Sequence, residues 1–186
     1  MNNLAADFIS GFFFMYLSVM SMKKAAIILL CLFFGMAAFA QFENRLCKAN
    51  EDIVFSFQLK NLKWISVCKE KNGNYIVYRF GTKSKVELQY PANLDTTSWQ
   101  QFTFQGYLRG GGKQNAAMRF GYLNFYVNDI NYEVYDRWNS EDDKEECGVS
   151  VKLKTKTIGM QGNLKSRRGS LVQLIYEDKI KKESEN

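Results

Sequence analysis

From residue 52 onward the apolar residues of this chain recur at every second position, in short runs broken by turn-forming residues. Ile53, Phe55, Phe57 and Leu59 alternate with Asp52, Val54, Ser56 and Gln58, and Val86, Leu88 and Tyr90 alternate with Lys85, Glu87 and Gln89. Val149, Val151 and Leu153 repeat the pattern. A period of two sends successive side chains to opposite faces, so each run reads as a half-buried β-strand. No stretch beyond the N-terminal region sustains a 3.6-residue apolar period, which argues against a helical core. Lys71-Asn72-Gly73-Asn74 carries a hairpin signal, and Asn128-Asp129 joins two long aromatic runs, 117–127 and 130–138, at hairpin spacing. Pro91, the one proline, stops the run that ends at Tyr90. Gly159, Gly162 and Asn163 read as further turns and 170–176 as a final strand. The expectation is an all-β protein, a single-domain antiparallel β-sandwich or barrel of about eight or nine strands.

The first forty residues read as a leader rather than as fold. Met22-Lys23-Lys24, the apolar run 25–34 and Ala38-Phe39-Ala40 form the charged, hydrophobic and cleavage regions of a signal peptide over 22–40. Cys31 is not read as a lipidation site, because bulky Leu30 precedes it. A second apolar run, 8–20, is short for a membrane span, which needs roughly 20 residues. Residues 1–21 are taken as an over-long gene start rather than as part of a longer anchor formed by both runs, which would leave Lys23 and Lys24 between two spans. That leaves a β-domain over 41–176, a charged tail over 177–186 and no integral membrane segment in the mature chain. The mature chain carries 23 basic and 18 acidic residues, a net charge of +5 spread along its length. Such an excess suits anionic surfaces, phospholipid head groups or cell-wall polymers among them. No nucleic-acid recognition motif is present, and none is expected of an exported protein.

The composition contains no histidine, which excludes a Ser-His-Asp triad, a Cys-His pair, a His-ligated zinc and a His general base. Three cysteines remain after the leader, Cys47, Cys68 and Cys147, and export to an oxidising compartment makes a disulfide the expectation. Cys47 and Cys68 are the better pair, since a hairpin between them brings their strands together. Closing that loop is worth roughly 3 kcal/mol in the chain-entropy model. Cys147 follows Glu145 and Glu146, whose charges disfavour a thiolate, although pairing with either other cysteine or between chains stays open.

Tyr107-Leu108-Arg109-Gly110-Gly111-Gly112-Lys113 is the most distinctive segment. Three glycines let backbone N–H groups point at an anion, bracketed by the charges of Arg109 and Lys113. The alternative is a connection whose glycines supply positive φ or a bulge. Glu133 and Asp136 lie three apart on one strand and so face opposite sides of the sheet. Asp136 shares a face with Tyr132 and Val134, and a buried carboxylate there needs a cation, Arg79 or Arg119. Arg79–Asp136 is the candidate structural ion pair, and no catalytic residue is assigned. The acidic run 141–146 lacks the spacing of a calcium loop, so neither a metal nor a cofactor is expected. Tyr122, Tyr126, Tyr132, Tyr135 and Trp138 cluster on neighbouring strands as a possible stacking face. Lys165, Arg167 and Arg168 form the densest basic cluster.

Ser66-Val67-Cys68, Tyr78-Arg79-Phe80-Gly81, Gly106-Tyr107-Leu108-Arg109-Gly110-Gly111-Gly112, Tyr135-Asp136 and Arg168-Gly169-Ser170-Leu171 together resemble a group of small exported bacterial β-proteins of unknown function. The resemblance spans most of residues 47–172 and implies export and β-structure, with no activity to carry over. The functional expectation is a periplasmic or secreted, non-catalytic binding protein of the cell envelope, its partner an envelope or extracellular ligand. Arg109, Gly110, Gly111, Gly112 and Lys113 would hold an anionic group, with Tyr107 and Tyr135 as stacking neighbours. The alternatives are a secreted inhibitor of a hydrolase and a carboxylate-based hydrolase built on Asp136 and Glu87.

Overall fold

The computed structural model describes residues 46–183. Ten strands form one sheet: β1 Glu51–Leu59, β2 Trp64–Glu70, β3 Ile76–Thr82, β4 Lys85–Tyr90, β5 Thr103–Arg109, β6 Met118–Val127, β7 Ile130–Asn139, β8 Lys144–Lys152, β9 Thr157–Gly169 and β10 Lys181–Lys182. Their spatial order is β10-β5-β6-β7-β8-β9-β1-β2-β3-β4, antiparallel throughout except where the two residues of β10 run parallel to β5. The all-β expectation stands, with ten strands rather than eight or nine. The expected signal peptide and gene start lie outside the described residues. Among those described, no helix is long and apolar enough to cross a membrane.

The sheet curls into a half-barrel because β9 serves two neighbours. Its first half pairs with β8, and its second half, after a register shift, pairs with β1. The curl brings β3 and β4 over β6, so that Tyr78 and Tyr90 each stand 4.8 Å from the Phe125 ring, centroid to centroid. Phe55, Phe57, Ile65, Val67, Ile76, Phe104, Leu123, Val134 and Val149 fill the concave side. Gly162, read from sequence as a turn, lies inside β9 instead. A Cβ there would come within 2.4 Å of the Phe57 ring and 2.7 Å of the Cys147 sulfur, so close packing, not a turn, requires glycine.

The final strand expected at 170–176 is a 3-10 helix, Leu171–Tyr176. Ser170 caps it by accepting from the Val172 N–H, and Leu171 and Leu174, one turn apart, enter the core. A second 3-10 helix, Thr96–Gln101, buries Trp99, whose indole N–H donates to the Gly73 carbonyl. The charged stretch expected as a tail rejoins the fold as far as residue 183, anchored by buried Ile180 and by β10. Where the hairpin signals were explicit, the turns follow them. Gly73 takes φ 74°, and Asn128 and Asp129 take φ 48° and 62°.

Candidate functional site

The convex side of the sheet has two regions with different fates. Over β1–β3 it is covered by residues 46–50, tied down by a disulfide between Cys47 and Cys68, as expected. Beneath that strap Arg79 meets Glu51 through two bonds, Nη1 to Oε2 at 2.6 Å and Nη2 to Oε1 at 2.8 Å. Arg79 also donates to the Leu46 carbonyl and to Gln89, while Glu51 accepts from the Tyr75 hydroxyl and the Lys48 N–H. Burial pushes the Glu51 carboxyl upward, but the bonds from Arg79, Lys48 and Tyr75 outweigh it and hold the group below its ordinary value. Cys47, Glu51 and Cys68 lie close enough to suggest a metal cluster, but the two sulfurs are bonded to each other and are not thiolates.

The expected Arg79–Asp136 pair does not form. Arg79 lies on the convex side of β3, whereas Asp136 is fully buried on the concave side of β7, so the sheet separates them. Asp136 accepts instead from Arg167 Nη1 at 2.9 Å, Ser170 Oγ at 2.5 Å and the Leu171 N–H at 3.3 Å. Arg167 also bridges to Glu145 at 2.7 Å. Glu145 in turn pairs with Arg119, whose guanidinium lies 5.6 Å from the Trp138 ring centroid. Sequence reasoning missed Arg167 and Ser170 as this carboxylate's partners. Glu133 takes the convex face, paired with Lys152. Cys147, opposite Asp136 on β8, is unpaired and fully buried. Burial first, and the Asp136 charge second, push its thiol up to about 12.

The glycine-rich segment forms the β5–β6 loop and lines an open depression of about 570 Å³ with Lys113, Gln114, Asn115, Ser140 and Glu141. The Gly112 N–H donates to the Asn115 carbonyl and Arg109 Nε to that of Ala116, so part of the donor set closes the loop on itself. Neither Gly110 nor Gly112 has a neighbour that an added Cβ would meet, and none of the three glycines takes positive φ. Tyr135 does not reach this loop. Arg109 aligns through Met118 with Asn139, four residues further along β7 than Tyr135.

The aromatic signal does converge, on the convex side of β5–β7. Tyr107 and Phe120 stack at 5.7 Å, Phe120 and Tyr122 follow at 5.6 Å, and Tyr122 stands directly across from Tyr135. Tyr135 lies over Gly148 of β8, where a Cβ would come within 2.3 Å of its hydroxyl, so the glycine lets the ring lie flat along the sheet. Arg137 sits 5.1 Å from the Tyr135 ring centroid and pairs with Glu146. Burial works against the Arg137 charge, and the Tyr122 hydroxyl and Glu146 outweigh it, so the guanidinium is held charged more firmly than usual. Tyr132 and Trp138, grouped with these rings by sequence, face the concave side. Phe120 and Arg137 were missed, although the period-two pattern that selected Tyr122 and Tyr135 also selects them. No protein family, curated protein or solved structure matches the chain.

Proposed function

We propose that this chain is an exported, non-catalytic binding protein of the bacterial cell envelope, acting in the periplasm or outside the cell. Its ligand surface is the convex face of β5–β7, and its ligand a sugar polymer that carries anionic groups. One observation carries the reading. Tyr107, Phe120, Tyr122 and Tyr135 form a row of rings on a face that also bears the Arg109 and Arg137 guanidinium groups. Rings of this kind stack on sugars, and guanidinium groups hold carboxylates or phosphates. The disulfide fits an oxidising compartment, and the resemblance to small exported proteins fits the same address. The carboxylates support a non-catalytic role. Asp136 is fully engaged, and Glu87 belongs to an ion pair with Lys63 on a distant strand.

The test is co-sedimentation of the purified protein with peptidoglycan sacculi, whose sugar chains carry peptide carboxylates. Wild type is expected in the pellet. Tyr107→Ala and Arg137→Gln should each weaken binding about fivefold, with melting temperature nearly unchanged. Equal binding by all three proteins, or none by wild type, overturns the reading. Inhibition of an envelope hydrolase that survives both substitutions would favour the secreted inhibitor, with the exposed 110–115 loop as its contact.

A further inference from the structure

The two ends of the half-barrel differ in charge and in closure. Strand directions put the β1–β2, β3–β4, β6–β7 and β8–β9 turns at one end and the β2–β3, β5–β6 and β7–β8 connections at the other. Over 60–63, 83–87, 126–133 and 152–158, the first end carries seven lysines against three acidic residues. Two of those three acids, Glu87 and Glu133, are spent on Lys63 and Lys152. Over 70–74, 109–117 and 139–146, the second end carries four basic residues against six acidic ones.

The lysine-rich end is also the apolar one. Towards the opposite end the core is covered by buried Trp99, bonded to Gly73 of the β2–β3 turn, and by buried Leu171, packed on Gly121 of β6. At the lysine-rich end the core finishes in side chains that remain partly exposed, Phe80, Leu88, Val127, Val151 and Met160. Beyond them Val86 and Ile158 are exposed, and Leu62 at the tip of the β1–β2 turn is 72% exposed. Leu62 also holds φ 66°, a conformation that disfavours a bulky side chain and suits asparagine or glycine. A leucine at that position is unfavourable both for the backbone and for solvation. A groove of about 420 Å³ lies beside this turn, between Leu59–Asn61 and Gly159–Gln161.

We propose that this end docks on an anionic phospholipid bilayer, with the Leu62 tip entering the head-group layer and the surrounding lysines meeting the lipid phosphates. Apolar insertion combined with several lysines near the surface is the arrangement that gives peripheral binding dependent on anionic lipid. Long lysine stems lie along apolar surface while their ammonium groups reach the phosphates. The surface is separate from the convex ring face and from the 110–115 loop, so neither reading depends on the other.

The test is flotation with vesicles of phosphatidylcholine, with and without phosphatidylglycerol. The whole chain is expressed, and the product that the host releases is purified, so wild type and variants share one N-terminus. Wild type should float with the anionic vesicles only, and added salt should weaken the association. Lys154→Gln with Lys156→Gln should weaken it roughly 25-fold, about fivefold for each lysine. Leu62→Asn should weaken it about tenfold while leaving the melting temperature equal or higher, which a structural role for Leu62 would not do. Lys71→Gln, at the opposite end, serves as the charge control and should leave flotation unchanged. Equal flotation with neutral vesicles, an equal loss for Lys71→Gln, or no loss for Leu62→Asn overturns the proposal. Binding of soluble heparin with no flotation also overturns it, in favour of a free polyanion.

Discussion

The two convex regions of the same sheet have been put to different uses. Over β1–β3 a strap, a disulfide and a bidentate ion pair cover the sheet, and the polar groups there are paired and buried. Over β5–β7 the convex side bears four rings and two guanidinium groups without a strap among the described residues. Side chains under the strap are there for stability. Rings left in contact with solvent gain little from folding, so their chemistry has to be sought in what they touch. Substitutions in the two regions should therefore separate in size.

The largest effect is expected under the strap. Arg79→Met leaves the Glu51 carboxylate buried without its cation and strips a donor from the Leu46 carbonyl. Breaking a buried pair from one side costs about 3–5 kcal/mol. Urea denaturation should show that loss at neutral pH. A cost below about 1 kcal/mol would mean that the strap opens and lets water reach Glu51.

Next comes the disulfide. Cys47→Ala with Cys68→Ala releases residues 46–50 from β2 and should cost about 3 kcal/mol. Because the strap also covers Arg79 and Glu51, this loss and the Arg79→Met loss should fall short of additive in the triple variant. Strict additivity would show that the ion pair stays closed without the covalent tie.

The pH dependence is smaller and has a definite sign. The Glu51 carboxyl is held below its ordinary value of 4.5, so in the unfolded chain it takes up a proton at higher pH than in the folded one. The stability it contributes is fully present above 4.5 and is lost as pH falls through the lower, folded value. Wild-type stability should decline in that acid range. Glu51→Gln should start lower at neutral pH and lose that part of the decline. Without any histidine, no such side chain adds a second step between pH 5 and 8.

The strands and hairpins were legible because period two and turn chemistry act locally. The Asn128-Asp129 turn and the Gly73 turn follow from neighbouring residues, and the Cys47–Cys68 bond from the hairpin between the two cysteines. The partner of Asp136 was not legible, because it depends on which face of a curled sheet each arginine takes and on a 3-10 helix that turns back after β9. Gly162 misled for a related reason. A glycine that admits a ring from a distant strand looks, in sequence, like a glycine that makes a turn. The row of rings was half legible, since alternation picks out Tyr122 and Tyr135 but cannot tell which side is covered.

The smallest effect is expected on the uncovered face, and it decides the comparison. Phe120 touches Tyr107 and Tyr122 and stands opposite Arg137 across the ladder, so Phe120→Ala removes the middle of the row. Cross-strand ring pairs on an exposed face are worth about 0.2–1 kcal/mol each, and the pairing of β6 with β5 and β7 does not depend on them. The expected stability loss in urea is therefore about 1–2 kcal/mol, well below that of Arg79→Met. A loss as large as that of Arg79→Met would mean that these rings hold the sheet together. The convex faces of β1–β3 and β5–β7 would then be two versions of one structural device, and the ligand surface would have to lie elsewhere on the molecule.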